Sequence, residues 1–145
     1  MDNTKSARQW QRIATMDLDS AEYLQGMRPT PIEIICYHCQ QSAEKHLKGY
    51  LVLNGTDPPK THDLRVLAQM CADINPAFEA IKIDCAKLTI YSVQPRYPVG
   101  LGLEEQDMRR ALTGAKEIQN FVLAQAPEMS YAEAHESPTQ DGPTL

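Results

Sequence analysis

The chain has 145 residues and a formal net charge of −5, a length that suits one domain built on one hydrophobic core. The negative charge argues against a protein that binds nucleic acid through its overall charge, although a local basic patch can oppose it. The sequence has no apolar run of roughly 18 residues and no apolar leader segment, so we expect a cytoplasmic protein without a membrane span.

Helical periodicity recurs in five segments of the sequence, which lacks the alternating β-branched runs that are typical of strands. The first predicted helix covers about residues 4–27 and is broken by Arg28-Pro-Thr-Pro31. The second predicted helix covers about residues 32–54 and ends at Asn54-Gly55.

A short third helix is predicted after the Thr-Asp-Pro-Pro-Lys linker, with Thr61 as its N-cap and Asp63 in its first turn. Asn75-Pro76 marks the next break, because proline suits a first helical turn. The fourth predicted helix ends at Gln94, since the residue before Pro95 disfavours the α region. Its apolar side is formed by Phe78, Ile81, Cys85, Leu88 and Tyr91.

The last predicted helix covers about residues 104–124, and the chain after Pro127 is polar and without periodicity. Long helices that are joined by short links favour an antiparallel bundle. We therefore expect an all-α, up-and-down bundle of four long helices plus one short helix over residues 1–126, and a disordered tail over residues 127–145.

Two of the four cysteines, Cys36 and Cys39, form a C-x-x-C motif that can indicate zinc or redox chemistry. Both fall on the apolar stripe of the second predicted helix, and no second C-x-x-C or histidine pair accompanies them. Cys71 and Cys85 also fall at apolar helical positions. We therefore expect four buried free thiols and no metal site.

The second predicted helix carries a dense polar cluster beside its apolar stripe. On a helical wheel, the stripe consists of Cys36, Cys39, Ala43, Leu47 and Tyr50. One flank consists of Tyr37, Gln41, Glu44 and Lys48, with Lys45 beside it and Gln40 at the edge of the stripe. Two interpretations stay open: a solvated face with an ion pair between residues four apart, or a polar surface that binds a ligand.

Asp17 lies inside the apolar stripe of the first predicted helix, so its carboxylate needs a partner. The carboxylate can form a structural ion pair or a cap, or it can lie at the base of a polar pocket. We expect Asp17, Glu44, Lys48 and Arg96 to form one polar network near the bundle core, and we expect Gln40 to be buried with it.

Three histidines lie in or next to predicted helices. His38 and His46 are expected on the surface of the second helix. His62 stands at the start of the third helix, next to Lys60, where free backbone N–H groups and the helix dipole favour anions. His62 is therefore either a phosphate ligand or a plain surface histidine.

Arg96 and Tyr97 stand together in the loop before the last predicted helix. An arginine and a tyrosine in this arrangement can hold a phosphate group and stack on a base. The alternative is that Arg96 is a structural partner of Asp17 or Glu44.

In order, these segments resemble the HEPN family of small helical domains. The matching pieces are Asp17-Leu18 with Ala21, the run from Tyr37 to Lys45 with Lys48, Thr61-His-Asp-Leu64, and Arg96-Tyr-Pro98. Together they span roughly residues 7–125. The resemblance implies a helical bundle that is usually dimeric, with a partner of the minimal nucleotidyltransferase type.

Many HEPN proteins are metal-independent ribonucleases whose mark is an arginine followed, after four to six residues, by a histidine. Here Arg96 matches the arginine, but the next histidine is His135. The resemblance therefore implies an accessory protein that binds nucleotide or RNA phosphate without catalysis and without a cofactor. Its expected ligand-binding residues are Gln41, Glu44, Lys45, Lys48, His62, Arg96 and Tyr97.

Two alternatives to this function stay open. One is a metal-independent ribonuclease or toxin that uses Arg96 together with His62 in place of the missing histidine. The other is a purely structural dimerisation module, in which the polar cluster only determines packing.

Overall fold

The computed structural model describes residues 2–92 and 102–130. Within these ranges the chain forms five α-helices and no β-strand, which confirms the all-α class. The helices are α1 (Thr4–Leu24), α2 (Ile32–Leu53), α3 (Leu64–Ile74), α4 (Lys82–Leu88) and α5 (Glu105–Gln125). None of these helices is long and apolar enough to cross a membrane.

Helix α2 lies at the centre of the fold and packs against α1, α5 and α3. All five residues of its predicted core stripe are buried, which confirms the helical wheel. Next to the C-terminal half of α2, the ring centroids of Tyr50 and Phe78 lie 4.4 Å apart, and those of Phe78 and Phe121 lie 5.0 Å apart. These aromatic contacts join α2, the segment after α3, and α5 into one core.

The predicted fourth long helix is instead a composite of three short pieces. A 3₁₀ helix (Pro76–Ile81) precedes α4, and a second 3₁₀ helix (Thr89–Tyr91) follows it. The apolar positions in this stretch repeat mostly every three residues, a spacing that suits 3₁₀ geometry as well as an α-helix. The apolar side itself is correctly predicted, because every member of it is buried. Over residues 2–92 and 102–130, the bundle thus has three long and two shorter α-helices.

The packed body continues past Ala126, where the sequence suggested that it ends. Residues Pro127–Met129 form a 3₁₀ turn, and Met129 is fully buried. Arg8 of α1 donates a hydrogen bond from Nε to the carbonyl oxygen of Glu128 at 2.8 Å, which ties this turn to the N-terminal helix. Residues 131–145 lie outside the described ranges.

All four cysteines are free and buried, as the sequence predicted. Burial in apolar surroundings disfavours the thiolate form. It raises the pKa of Cys36 and of Cys85 to about 12, and it raises the pKa of Cys39 and Cys71 as well. The four thiols are therefore part of the hydrophobic core.

Candidate functional site

A buried carboxylate, that of Glu44, is the centre of a polar cluster on α2. Its side chain is 5% exposed. Lys48, one turn along, donates from Nζ to Glu44 Oε2 at 2.9 Å. The side-chain amides of Gln40 and Gln41 lie 3.3 and 3.4 Å from Oε1, and His62 Nδ1 lies 3.0 Å from the same oxygen. The burial of this charge is thus compensated by several donors.

Gln40 connects α2 to the segment that precedes α3. Its side chain is fully buried, and its Nε2 donates to the backbone carbonyl of His62 at 2.9 Å. Its Oε1 accepts a hydrogen bond from Gln41 Nε2 at 2.8 Å. The two adjacent amides therefore place the backbone at residue 62 against α2 and also supply donors to Glu44.

His62 has an exposed ring that a buried group orients. The side chain is 68% exposed, and Nδ1 lies within 3.0 and 3.2 Å of the two oxygens of Glu44. Because an ionised carboxylate can only accept, Nδ1 must carry the hydrogen of this contact. Nε2 is then the ring nitrogen that remains for a ligand.

The prediction that Thr61 caps α3 is wrong, because the N-cap is Asp63. Thr61 Oγ1 accepts from the backbone N–H of Asp63 at 3.1 Å, and Asp63 Oδ1 accepts from the backbone N–H of Arg65 at 3.0 Å. The pKa of Asp63 is lowered, mainly because the Arg65 side chain donates hydrogen bonds to its carboxylate. Thr89 Oγ1 accepts the backbone N–H of Leu64 at 2.9 Å. Side-chain oxygens of Thr61, Asp63 and Thr89 thus accept the backbone N–H groups at the start of α3, where the sequence suggested that an anion binds.

Asp17 belongs to a second cluster, on the α1 side of α2. Lys45 Nζ donates to its Oδ2 at 2.7 Å, and His38 Nδ1 lies 3.1 Å from its Oδ1. Among the described residues, the hydrogen bonds of Asp17 and of Glu44 form two clusters rather than the single predicted network. The cause is helical geometry: Glu44 and Lys45 are consecutive, so they point about 100° apart and reach different neighbours.

The expected surface positions of two histidines are wrong. His38 is half-buried beside Asp17, and His46 is fully buried. The Nδ1–H of His46 donates to the carbonyl oxygen of Ser42 at 3.0 Å, while its Nε2 has no partner among the described residues. Burial lowers the pKa of His46 to about 4. His46 precedes Tyr50 by four residues, so its position on the wheel already belongs to the core stripe.

Of the remaining predicted site residues, the structure describes Lys45 and Lys48 but not Arg96 and Tyr97. Both predicted cationic side chains on α2 are paired, Lys45 with Asp17 and Lys48 with Glu44. Arg96 and Tyr97 lie outside the described residues. In the described ranges, no group of three or more histidine, cysteine, aspartate or glutamate side chains could hold a metal ion.

Comparison with known proteins agrees with this architecture. The HEPN domain model matches residues 7–125, a range that includes α2 to α5, all of α1 except its first three residues, and both carboxylate clusters. No curated protein and no solved structure matches the chain significantly. HEPN domains often have nuclease or RNA-binding roles. Since the HEPN family model matches most of the chain, this protein is a member of the HEPN family.

Proposed function

We propose that this protein binds the phosphate groups of RNA or of a nucleotide without cleaving RNA. It would act as an accessory subunit, as a homodimer, beside a minimal nucleotidyltransferase. The observation that carries the proposal is the exposed ring of His62, which the buried Glu44 holds in one orientation. A ring that is oriented in this way offers one nitrogen to a ligand at little further entropic cost.

Within this proposal, the residues of the cluster have different roles. Glu44 orients His62 and does not itself meet the phosphate, because two anions repel each other. Lys48 offsets the charge of Glu44 at 2.9 Å. Gln41 and His62 are less buried than Glu44 and Lys48 and provide donors near the surface, whereas Lys45 is paired with Asp17 in the other cluster. Arg96 and Tyr97 complete the proposed set of ligand-binding residues, and they are included on the basis of the sequence alone.

The absence of cleavage is proposed from the sequence pattern. The ribonuclease branch of the family uses a histidine shortly after the arginine that matches Arg96, and this chain has none there. Proton transfer at a 2′-hydroxyl needs a base within hydrogen-bond reach of that proton. Without that histidine, Arg96 can bind phosphate charge but cannot take the proton.

One observation favours the ribonuclease alternative. With Nδ1 hydrogen-bonded to Glu44, a neutral His62 ring has a lone pair on Nε2. A carboxylate-oriented imidazole of this kind is suited to accept a proton from a hydroxyl group. His62 would then replace the missing histidine, as the general base beside Arg96.

The outward side of α1 supports the proposed dimer. Three large apolar side chains lie on it at helical spacing and a fourth lies in the bend that follows α1, and their exposed fractions run from 40 to 86%. These side chains are Ile13, Met16, Tyr23 and Met27. Exposed apolar side chains that lie together, rather than singly, mark sites of protein association. The purely structural alternative needs only this surface and no ligand.

The test measures RNA binding and RNA cleavage with the same labelled RNA, in the presence of a chelator. We expect binding by fluorescence anisotropy, weaker binding as salt rises, and intact RNA on a denaturing gel. The His62→Gln variant should bind more weakly, whereas His38→Gln, the matched change in the other cluster, should bind like wild type. Cleavage that His62→Gln abolishes would establish the ribonuclease, and a lack of binding would leave the structural module.

Light scattering tests the association separately. At micromolar concentration we expect the mass of a dimer. The Tyr23→Asp variant, which puts a charge on the exposed side of α1, should shift the protein toward monomer. A wild-type mass equal to that of the monomer would contradict the proposed dimer, whatever the result with RNA.

A further inference from the structure

We propose that phosphate binding at His62 is coupled to proton uptake, so that the site accepts phosphate only with the ring in its imidazolium form. This inference rests on the proposed function and names how the same site is regulated. It follows from the charges that surround the ring and from the hydrogen bonds that its two nitrogens can make.

The cluster around His62 has no net charge while the ring is neutral. The carboxylate of Glu44 and the ammonium group of Lys48 lie 2.9 Å apart and offset each other. The other two members, Gln40 and Gln41, are neutral amides. Among the residue types in this cluster, histidine is the one that ordinarily changes its charge near neutral pH. A proton on His62 therefore changes the cluster from neutral to singly positive.

The hydrogen bond to Glu44 determines what Nε2 offers to a ligand. Since Nδ1 carries the hydrogen of that contact, Nε2 of a neutral ring is a bare acceptor. A phosphate oxygen is also an acceptor and is repelled by such a lone pair. Protonation converts Nε2 into a charged N–H donor, which is the type of group that binds phosphate oxygens strongly.

In the part of the chain that the structure describes, the other charged groups near His62 do not change this balance. At the start of α3, the carboxylate of the N-cap Asp63 and the Arg65 guanidinium form an ion pair at 3.0 Å. On the far side of α2, Asp17 and Lys45 form another ion pair at 2.7 Å. Lys60 is exposed in the same segment and is positive in both protonation states of the ring. The 3₁₀ helix Thr89–Tyr91 contributes a hydroxyl group and no charge.

Glu44 is thus a positioning residue for His62. Its carboxylate lies within 3.2 Å of Nδ1 and is itself 5% exposed, so it holds the exposed ring from the protein side. Replacing Glu44 would also leave Lys48 buried without its partner, so substitution at His62 gives the cleaner test.

The test is calorimetric titration of a 5′-phosphorylated ten-nucleotide uridine RNA into the protein between pH 6.5 and 8.5. Each pH is measured in two buffers that differ in ionisation enthalpy. We expect close to one proton taken up per RNA bound at the high end of this range. The affinity should fall by about tenfold for each pH unit there, because one proton is linked to binding.

Two variants separate the inference from a general effect of charge. His62→Lys has a permanent cation, so it should bind at pH 8.5 without proton uptake. His38→Gln removes the other carboxylate-oriented histidine, so it should keep the proton uptake of wild type. Binding of wild type with no proton uptake, or equal uptake in His62→Lys, would overturn the inference and leave the proposed function in place. No RNA binding at any pH would overturn both.

Discussion

The buried ring of His46 predicts that the fold loses stability in mild acid. The ring is fully buried in α2, its Nε2 has no partner within the ranges that the structure describes, and burial lowers its pKa to about 4. In the unfolded chain the same ring is hydrated and has an ordinary histidine pKa of about 6.5. The unfolded state therefore binds a proton that the folded state does not, throughout the interval between these two values.

The sign and the size of the effect follow from the two pKa values. Stability is fully present above about pH 6.5 and is lost as the pH falls toward 4, because protonation draws the chain to the unfolded state. At 1.36 kcal/mol for each pKa unit, the difference between 6.5 and about 4 corresponds to about 3 kcal/mol in total. The loss from His46 alone should reach about 2 kcal/mol by pH 5.

The assay compares wild type with His46→Leu by urea unfolding at pH 8 and pH 5, followed by circular dichroism. Leucine has a similar size, cannot be protonated and removes the unpartnered nitrogen. Acid effects on the exposed carboxylates and on the other histidines are common to both proteins and cancel in the comparison. Wild type should lose about 2 kcal/mol more than the variant on going to pH 5. An equal loss in both proteins would refute the reasoning.

Four further predictions concern the packing, an ion pair and the buried thiols. Gly49→Ala should destabilise the fold by about 1–3 kcal/mol, because the new Cβ would lie 2.9 Å from Met129 Cε and 3.1 Å from Trp10 Cβ. Gly114→Ala, whose nearest contact is at 3.8 Å, should instead raise the melting temperature through better helix propensity. Asp17→Asn should cost about 1 kcal/mol in urea unfolding, since water still reaches this ion pair. A thiol reagent should modify the four buried cysteines only after unfolding; rapid labelling of the native protein would contradict their burial.

The helical segments were predictable from the sequence because their signals are local. Apolar periodicity and the Pro and Gly breaks gave about 32–54 for the second helix and about 104–124 for the last, and the structure has Ile32–Leu53 and Glu105–Gln125. The stretch from residue 76 to 91 was not predictable at this level, because an apolar repeat of three residues fits a 3₁₀ helix as well as an α-helix.

The partners of the charged side chains were decided by tertiary structure. The sequence identified Asp17, Glu44, Lys45 and Lys48 as unusual, but it could not show that Glu44 meets His62, 18 residues away, or that Lys45 meets Asp17, 28 residues away. Each pairing depends on which segment packs against which flank of α2. The amino-acid sequence alone thus determines the helices and their apolar sides, whereas the packing of α1 and of the residue 62 segment onto α2 determines which charges meet and which histidine stays exposed.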